Sequence, residues 1–341
     1  MNPIPCYRAA HLLHYCDFLS EIGAPLDQRL SKAGLPTMMG HDADLYLPQL
    51  PTLKFLQDTV RQEGIDELSL RALAKLQISD LGEEFVFRAL SAPSLKVALE
   101  CFRNLVSIED PYVEFWISHQ ESIVKLCIIN HFRLSSEDLY FEDWHEMLVL
   151  IAIVRAFAGP SWQPEEIAFR SSMRPTNYAS EFFPNTRFIT CQHAASVTIP
   201  HHMLSLAPYA SHNSSKSHDK LLNGLAYTDG FQSNFIGSLK AILSSYEPDR
   251  LPTIEELAEM TVISVRTLQR RLKQYGFSYT DLISEFRFET ACRLLRETDA
   301  SGLEIALEIG YQDPSHFSRA FKRIYSISPS EYRHLHQRSY L

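Results

Sequence analysis

Apolar residues in the last third of the chain recur every three or four positions, which is the period of an amphipathic helix. Polar residues typical of helix caps and turns interrupt the pattern at short intervals, and no long strand candidate occurs there. The pattern predicts helices at 231–246, 254–260, 265–275, 279–297, 303–309 and 314–325. This part of the chain is therefore predicted to be all-α.

The first two thirds of the chain mix helical and strand periods. Helical spacing dominates up to residue 107, and two runs rich in β-branched and aromatic residues follow at 112–117 and 123–129. A short polar turn separates the two runs and predicts a hairpin. A helix is predicted at 136–157, with short strands at 167–170, 187–190 and 196–199. This part is predicted to be α+β.

A break in the hydrophobic pattern separates the two parts. Residues 206–220 are rich in Ser, Asn and His and carry no period, which is typical of a linker. A chain of 341 residues also favours two domains, because domains usually contain roughly 100 to 200 residues. We therefore predict an α+β domain at 1–205 and an all-α domain at 221–341.

The charge is distributed unevenly along the chain. The net charge is -9, which alone argues against a nucleic acid partner. However, residues 1–219 hold 17 basic and 26 acidic residues, whereas residues 220–341 hold 15 of each. Within the neutral part, residues 266–273 contain four basic residues and no acidic one. Positive charge is thus concentrated where it could meet a phosphate backbone.

Other features of the composition favour a cytoplasmic protein. The longest apolar run, 147–154, is much shorter than the ~20 residues that cross a bilayer as a helix. The first residues lack the pattern of a secretory signal, so we expect a cytoplasmic location and no membrane partner. The six cysteines are widely spaced, which predicts reduced and mostly buried thiols.

A helix-turn-helix pattern begins at Thr253. Thr253 and Glu256 have the spacing of a capping box, and Ser264 supplies a second N-cap a few residues later. The helix that follows has an apolar stripe of Val265, Leu268 and Leu272 and an opposite polar stripe of Arg266, Gln269, Arg270 and Lys273. Arg and Gln can bond base edges in the major groove and Lys can hold a phosphate. The polar stripe therefore predicts a recognition helix.

A second pattern of the same kind follows, with a turn at Gly310, Asp313 as N-cap and Pro314 as the first helical residue. The predicted apolar positions are Leu303, Ala306, Leu307 and Ile309 before the turn and Phe317, Ala320, Phe321 and Ile324 after it. The predicted outward residues are Ser315, His316, Ser318, Arg319, Lys322 and Arg323. The long helix between the patterns would allow one chain to contact two adjacent major grooves of double-stranded DNA, about 34 Å apart.

These residues resemble the AraC/XylS family of bacterial transcription regulators. The resemblance lies in SVRTLQRRLKQYGFSY, FRFETACRLLRET and ALEIGYQDPSHFSRAFKRIYSISPSEYR, and with the preceding helices it covers residues 231–335. It implies base contacts from Arg266, Gln269, Arg270, Ser315, His316 and Arg319, and it implies RNA polymerase as a partner. Val262 stands where the family often has Gly. Because a β-branched residue tolerates positive φ poorly, we expect a reshaped first turn.

The first domain resembles the arabinose-binding-type sensor domain found in one branch of the same family. The resemblance lies in SAPSLKVALECFRNL, SEFFPNTRFI and SVTIPHHML. It implies a regulatory domain but does not imply arabinose as the ligand. The expected function is a transcription activator or repressor that binds a small-molecule effector and forms a homodimer. One alternative is a constitutive regulator whose first domain only dimerises, and another is an enzymatic first domain.

Several residues of the first domain allow a chemical and a structural interpretation. His11, His14 and Cys16 have metal-ligand side chains, but packing is favoured because no fourth ligand is evident. An acid/base set of Glu142, Asp143 and His145 is opposed by the prediction that the acids lie in solvated first turns of a helix. His201 and His202 are predicted to cap a helix. The aromatic residues Phe115, Trp116, Phe182, Phe183 and Phe188 are predicted to be core residues rather than a pocket.

Sequence motifs for catalysis are absent from the chain: it has no G-x-S-x-G, H-E-x-x-H, P-loop or G-x-G-x-x-G. We therefore predict no catalytic residues, no metal and no cofactor.

Overall fold

The computed structural model describes residues 3–37, 45–81, 83–110, 112–132, 134–209, 234–248 and 250–337. The chain divides into two compact units. One unit, called here the α+β unit, comprises Pro5–Asp44 and Gln49–Ser233, and the other, called the helical unit, comprises Met1–Ile4, Leu45–Pro48 and Asn234–Leu341. Most of the predicted linker 206–220 and the start of the helix predicted at 231–246 lie outside the described residues.

The described residues form helices and strands throughout. The helices are α1 (Ala10–Glu21), α2 (Leu26–Lys32), α3 (Gln49–Glu63), α4 (Leu68–Leu73), α5 (Glu83–Leu90), α6 (Leu95–Glu109), α7 (Ser136–Ala158), α8 (Asn177–Phe182), α9 (Phe235–Leu243), α10 (Ile254–Met260), α11 (Val265–Gln274), α12 (Tyr279–Glu297), α13 (Gly302–Glu308), α14 (Pro314–Tyr325) and α15 (Pro329–Gln337). The strands are β1 (Cys6–Arg8), β2 (Tyr46–Pro48), β3 (Val113–Gln120), β4 (Ile123–Asn130), β5 (Glu166–Ala168), β6 (Arg187–Ile189) and β7 (Ala195–Pro200). Ile78–Leu81 and His201–Ser205 are 3-10 helices.

The α+β unit contains a mixed sheet with the strand order β3-β4-β7-β5-β6. The predicted hairpin is confirmed as the antiparallel pair β3 and β4, in which Phe115 lies opposite Ile128. Strand β7 pairs antiparallel with both β4 and β5, and β5 pairs parallel with β6. The α+β fold class predicted for the first part of the chain is therefore confirmed.

Helix α7 is the central helix of the α+β unit, and it is buried along nearly its whole length. The apolar run 147–154 lies in the second half of this helix. Acidic residues in its first half, Glu142 and Asp143, are buried as well, so the prediction that they lie in solvated turns is wrong. Asp143 is buried because it pairs with a cation from a distant loop: the Nε of Arg170 donates to Oδ1 of Asp143 at 2.6 Å. Glu142 has a neutral partner, because the Nε2 of Gln49 donates to its Oε1 at 3.0 Å.

The helical unit packs around the long helix α12. Phe288 and Leu295 of α12 form a core with Ile305 of α13 and with Phe317 and Phe321 of α14. The all-α prediction for this part of the chain is confirmed, with small shifts at the ends of several helices. Helix α15 is missing from the predictions.

The apolar faces of α13 and α14 differ partly from the prediction. Leu303 and Leu307 are each 53% exposed, whereas Ala306 and Ile309 are buried as predicted, together with Ile305. At the end of α14, Ile324 is 48% exposed because the buried stripe follows Phe317 and Phe321. The prediction that Leu303, Leu307 and Ile324 are buried is therefore wrong.

All six cysteines are described and are free thiols, with Cys191 exposed and Cys101 half-buried. Among the helices of the described ranges, none combines the length and the apolar character that a membrane span requires.

Candidate nucleic-acid interface

The first helix-turn-helix motif consists of α10 and α11, and local hydrogen bonds fix where both helices begin. The backbone N–H of Thr253 donates to Oε2 of Glu256 at 2.7 Å, and the N–H of Glu256 donates to Oγ1 of Thr253 at 3.2 Å. Ser264 caps α11 by accepting the N–H of Thr267 at 3.2 Å. The predicted capping box and second N-cap are thus confirmed.

Helix α11 separates a buried face from an exposed polar face. Leu268 and Leu272 are fully buried. The predicted DNA-facing residues Arg266, Gln269, Arg270 and Lys273 are all exposed. Their side chains make no hydrogen bond or ion pair with any part of the chain that the structure describes. Arg271 differs, because it is half-buried and its guanidinium lies 5.4 Å from the centre of the Phe235 ring.

The second motif consists of α13 and α14 and repeats this design. Ser301 and Glu304 form a capping box at the start of α13, which sequence reasoning missed although its spacing is the same as that of Thr253 and Glu256. Asp313 caps α14 by accepting the N–H of Ser315 at 2.7 Å. That hydrogen bond is the main reason why the pKa of Asp313 is lower than usual.

Helix α14 also buries an apolar face and exposes a polar one. Phe317 and Phe321 are fully buried. The predicted DNA-facing residues Ser315, His316, Ser318, Arg319 and Lys322 are all exposed. Two of them contact their own helix start: the Nε of Arg319 donates to the carbonyl of Ser315 at 3.3 Å, and Nε2 of His316 lies 3.7 Å from Oδ2 of Asp313.

The two exposed faces correspond to each other position by position. Arg270 and Arg319 lie the same number of residues after the N-caps of their helices, Ser264 and Asp313. Lys273 and Lys322 correspond in the same way, as do the buried pairs Leu268 with Phe317 and Leu272 with Phe321. Helix α12 connects the motifs and has 19 residues, which corresponds to a length of about 28 Å. That length is comparable with the roughly 34 Å between adjacent major grooves.

The turn of the first motif closes on Val262, which has a φ of 53°. The expectation that the side chain reshapes this turn is therefore wrong. The Val262 side chain is 58% exposed and meets little steric resistance from the rest of the protein.

The histidines singled out in the α+β unit take structural positions. Nδ1 of His11 and Nε2 of His145 share a hydrogen bond of 3.0 Å. No metal-binding group that includes His11, His14 or Cys16 occurs within the described residues. The 3-10 helix His201–Ser205 has no side-chain cap, so the predicted cap role of its histidines is wrong.

The predicted core aromatics surround Trp144 and the sheet. Phe115 and Phe183 are buried, as predicted, whereas Trp116, Phe182 and Phe188 are half-buried. Phe183 stacks on Trp144, with ring centres 6.3 Å apart.

The chain is similar to several known proteins. A family model described as Helix-turn-helix domain matches residues 257–334. An uncharacterized HTH-type transcriptional regulator of Haemophilus influenzae is 41% identical over 81 residues, which are 24% of this chain and 27% of that protein. The HTH-type transcriptional activator RhaS of an Enterobacter species is 34% identical over 116 residues, which are 33% of this chain and 41% of that protein. The crystal structure of the transcriptional regulator CdpR from Pseudomonas aeruginosa aligns with 93% of this chain and 98% of that chain, at 20% identity and a TM-score of 0.39.

The chain spans less than half of the length of these two curated relatives. The family model covers most of the region from α10 to α15. This region is therefore a helix-turn-helix domain of the kind that HTH-type transcription regulators contain.

Proposed function

We propose that the chain is a sequence-specific, DNA-binding transcription regulator of the AraC/XylS type. One observation carries the proposal: α11 and α14 bury corresponding apolar residues and expose corresponding Arg and Lys residues. Exposed cationic and amide side chains at these spacings suit the acceptors of base edges and phosphates. The pI of about 5.9 does not oppose the proposal, because the local charge of the recognition helices decides the contact with DNA.

In each recognition helix, some residues bind base edges and others bind phosphates. Residues among the first six positions of each helix bind base edges, which assigns base contacts to Arg266, Gln269, Arg270, Ser315, His316 and Arg319. Lys273 and Lys322 lie near the far ends of their helices and bind phosphates. Ser318 contacts the DNA beside Arg319. Each chain thereby occupies two adjacent major grooves of double-stranded DNA.

The α+β unit serves as the regulatory part. We assign it to the arabinose-binding type of sensor domain, with a small molecule as effector and a second copy of the chain as partner. The effector shifts the population between a DNA-binding state and a less active state, and RNA polymerase contacts the DNA-bound regulator. RhaS is named a transcriptional activator, and activation is the mode that we propose for this cytoplasmic, bacterial-type regulator.

Selection from a pool of random DNA duplexes with the full-length chain tests the proposal. We expect enrichment of a site with two conserved elements whose centres lie about one helical turn apart, close to 10.5 base pairs. Moving one element by half a turn should abolish tight binding. No enrichment, or a site with one element only, would count against two recognition helices on one DNA.

A further inference from the structure

A small, partly open cavity lies inside the α+β unit. Helices α1, α3 and α7 contribute apolar side chains to its wall, among them Leu12, Leu53 and Phe141. Six side chains with polar atoms also line it: Tyr7, His11, Tyr15, Thr52, Glu142 and His145. A mostly apolar cavity with a few convergent polar groups is the usual form of a small-molecule site.

Glu142 is the acidic group of this cavity, and it is only 5% exposed. Its Oε1 accepts a hydrogen bond from Nε2 of Gln49 at 3.0 Å, and its Oε2 accepts a long one from Nδ2 of Asn130 at 3.5 Å. No cation lies within ion-pair distance of Glu142 in the described part of the chain. Burial, and then the neighbouring Glu146, raise the pKa of Glu142 well above its usual value.

The adjacent Asp143 has the compensation that Glu142 lacks. Arg170 donates to Asp143 from its guanidinium and from its backbone N–H, and the N–H of Ser171 donates to it as well. The same guanidinium also reaches Oε2 of Glu146 at 3.3 Å. One arginine thus forms ion pairs with two buried carboxylates, while Glu142, the acid that faces the cavity, has none.

The groups beside Glu142 have more acceptors than donors. Gln49 is 1% exposed, and its Nε2 donates to both Glu142 and the hydroxyl of Tyr7, at 3.0 Å each. The Oε1 of Gln49 is buried without a partner in the described structure. Gln49 does not line the cavity itself, but its unpaired acceptor shows that hydrogen-bond donors are short around Glu142.

The histidines of the cavity do not supply the missing positive charge. His11 and His145 share one hydrogen bond, and burial lowers the pKa of both, to about 4 for His11. Both are therefore neutral near pH 7. Arg8, which lies near His11, lines the neighbouring cavity and has an interaction of its own.

We propose that the cavity binds a primary amine in its protonated form, with the ammonium group on the Glu142 carboxylate and the hydrocarbon body between the apolar walls. This inference rests on the proposed function, because it names the chemical class of the effector. An ammonium group offers three N–H donors and supplies the cation that Glu142 lacks, so its binding favours the ionised form of Glu142, which burial disfavours in the empty cavity. The rings of Tyr7, Tyr15 and Phe141 add faces that attract a cation.

Ligands of the same size but different charge fit the site less well. A carboxylate would bring an anion into a cavity whose described lining offers it no ion-pair partner. An alcohol can donate one hydrogen bond but brings no positive charge to Glu142. The amine should therefore bind more tightly than the alcohol by about tenfold or more, since hydrogen bonds to charged groups are the stronger ones.

Thermal unfolding of the full-length chain with three matched probes tests this assignment. The probes are n-hexylamine, 1-hexanol and hexanoate, and the signal is the fluorescence of the three tryptophans, Trp116, Trp144 and Trp162, which all lie in the α+β unit. We expect n-hexylamine to raise the melting temperature in a saturable way. Its Kd should be at least about tenfold below that of 1-hexanol. Hexanoate should leave the melting temperature unchanged.

Variants locate the site. Glu142→Gln should weaken n-hexylamine binding about tenfold or more and should leave 1-hexanol binding nearly unchanged. Glu165→Gln is the matched control, because Glu165 is an exposed acid of the same unit and its substitution should change neither Kd. If Glu142→Gln does not fold, the order of the three probes on the unchanged chain still decides the chemical class.

The outcomes separate this inference from the proposed function. Equal binding of alcohol and amine, preferred binding of hexanoate, or no response to any probe each overturns the amine assignment. DNA binding is measured on the same samples with a selected duplex. If DNA binding is present and the amine response absent, only this inference fails. If the amine response is present and DNA binding absent, the regulator proposal fails while the ligand site stands.

Discussion

Val262 and Gly310 each lie two residues after the end of the first helix of their helix-turn-helix motif. Both have a left-handed backbone, with φ values of 53° and 80°. The hydrogen bonds around them correspond as well. The N–H of Val262 donates to the carbonyl of Glu259 at 3.1 Å, and the N–H of Gly310 donates to that of Leu307 at 3.0 Å. The first motif therefore forms the tight turn with a β-branched residue where the second motif uses glycine.

Replacing Val262 by glycine should stabilise the helical unit. A left-handed conformation costs a residue with a side chain roughly 1 to 2 kcal/mol, and glycine avoids that cost. Glycine also makes the unfolded chain more flexible, which takes back part of the gain. We expect a net gain of about 0.5 to 1 kcal/mol for Val262→Gly, measured by urea unfolding with circular dichroism. The control is Val265→Gly, at a half-buried helical position of α11, and it should destabilise the unit.

The sequence predicts those features that depend on near neighbours. The caps at Thr253, Ser264 and Asp313 follow from residues a few positions away, and so do the polar faces of both recognition helices. The face of α13 was predicted less well, because Leu303 and Leu307 have a helical spacing that only the packing against α12 rules out.

The cavity of the α+β unit could not be predicted for the same reason. Its groups come from α1, α3 and α7, and nothing in the local pattern brings Gln49 next to Glu142. The pairing of Asp143 with Arg170 likewise joins a helix to a loop far along the chain. The hydrophobic period of a sequence predicts one helix or strand at a time. It does not predict which buried charged residues form ion pairs.

Ser238→Ala should destabilise the helical unit in the full-length chain. The fully buried Ser238 accepts the N–H of Ile4 at 2.9 Å, and the alanine variant leaves that N–H unpaired. We expect a loss of about 1 to 3 kcal/mol in the free energy of unfolding. The same substitution in a fragment of residues 224–341, which lacks Ile4, should be nearly neutral. An equal loss in both backgrounds would show that the hydrogen bond to Ile4 contributes nothing.

Arg319→Ala should remove one base contact. The expected cost is about 1 to 3 kcal/mol on the selected duplex, together with a relaxed preference at one base pair. Fluorescence anisotropy with the selected duplex and with its single-base variants measures both effects. Arg250→Ala is the control, because Arg250 is exposed and lies outside both recognition helices. Equal losses on the selected and on a scrambled duplex would reassign Arg319 to the DNA backbone.

Lys273→Ala should act on all DNA sequences alike. A lysine that neutralises one phosphate contributes close to one unit to the slope of log affinity against log salt. We therefore expect a slope smaller in magnitude by about one, and similar losses of affinity on selected and scrambled duplexes. Titrations at four salt concentrations measure the slope. A change confined to the selected duplex would make Lys273 a base reader.

The histidine pair His11 and His145 should make the α+β unit more sensitive to mild acid. Burial lowers the pKa of His11 from 6.5 to about 4, and that of His145 well below its usual value. Between these values the unfolded chain binds protons on these histidines that the folded unit does not bind, so the contribution of the pair to the free energy of unfolding falls as the pH drops from about 6.5 toward 4. Glu142 and Glu146 act in the opposite direction, because burial raises their pKa values and the folded unit then binds protons that the unfolded chain does not. We expect the pair to contribute a loss on the order of 1 kcal/mol or more between pH 7 and pH 5, measured by urea unfolding with tryptophan fluorescence as the difference from a variant without the pair.

The double variant His11→Asn with His145→Asn isolates this effect, because asparagine can keep a hydrogen bond between the two positions and does not titrate. Its stability should fall clearly less between pH 7 and pH 5 than that of the unchanged chain. His193→Asn is the control, because His193 is exposed in the same unit and its substitution should leave the pH dependence as it was. If the double variant and the unchanged chain lost stability in parallel, the acid sensitivity would belong to other groups, and the lowered pKa values of the pair would not govern the folding of this unit.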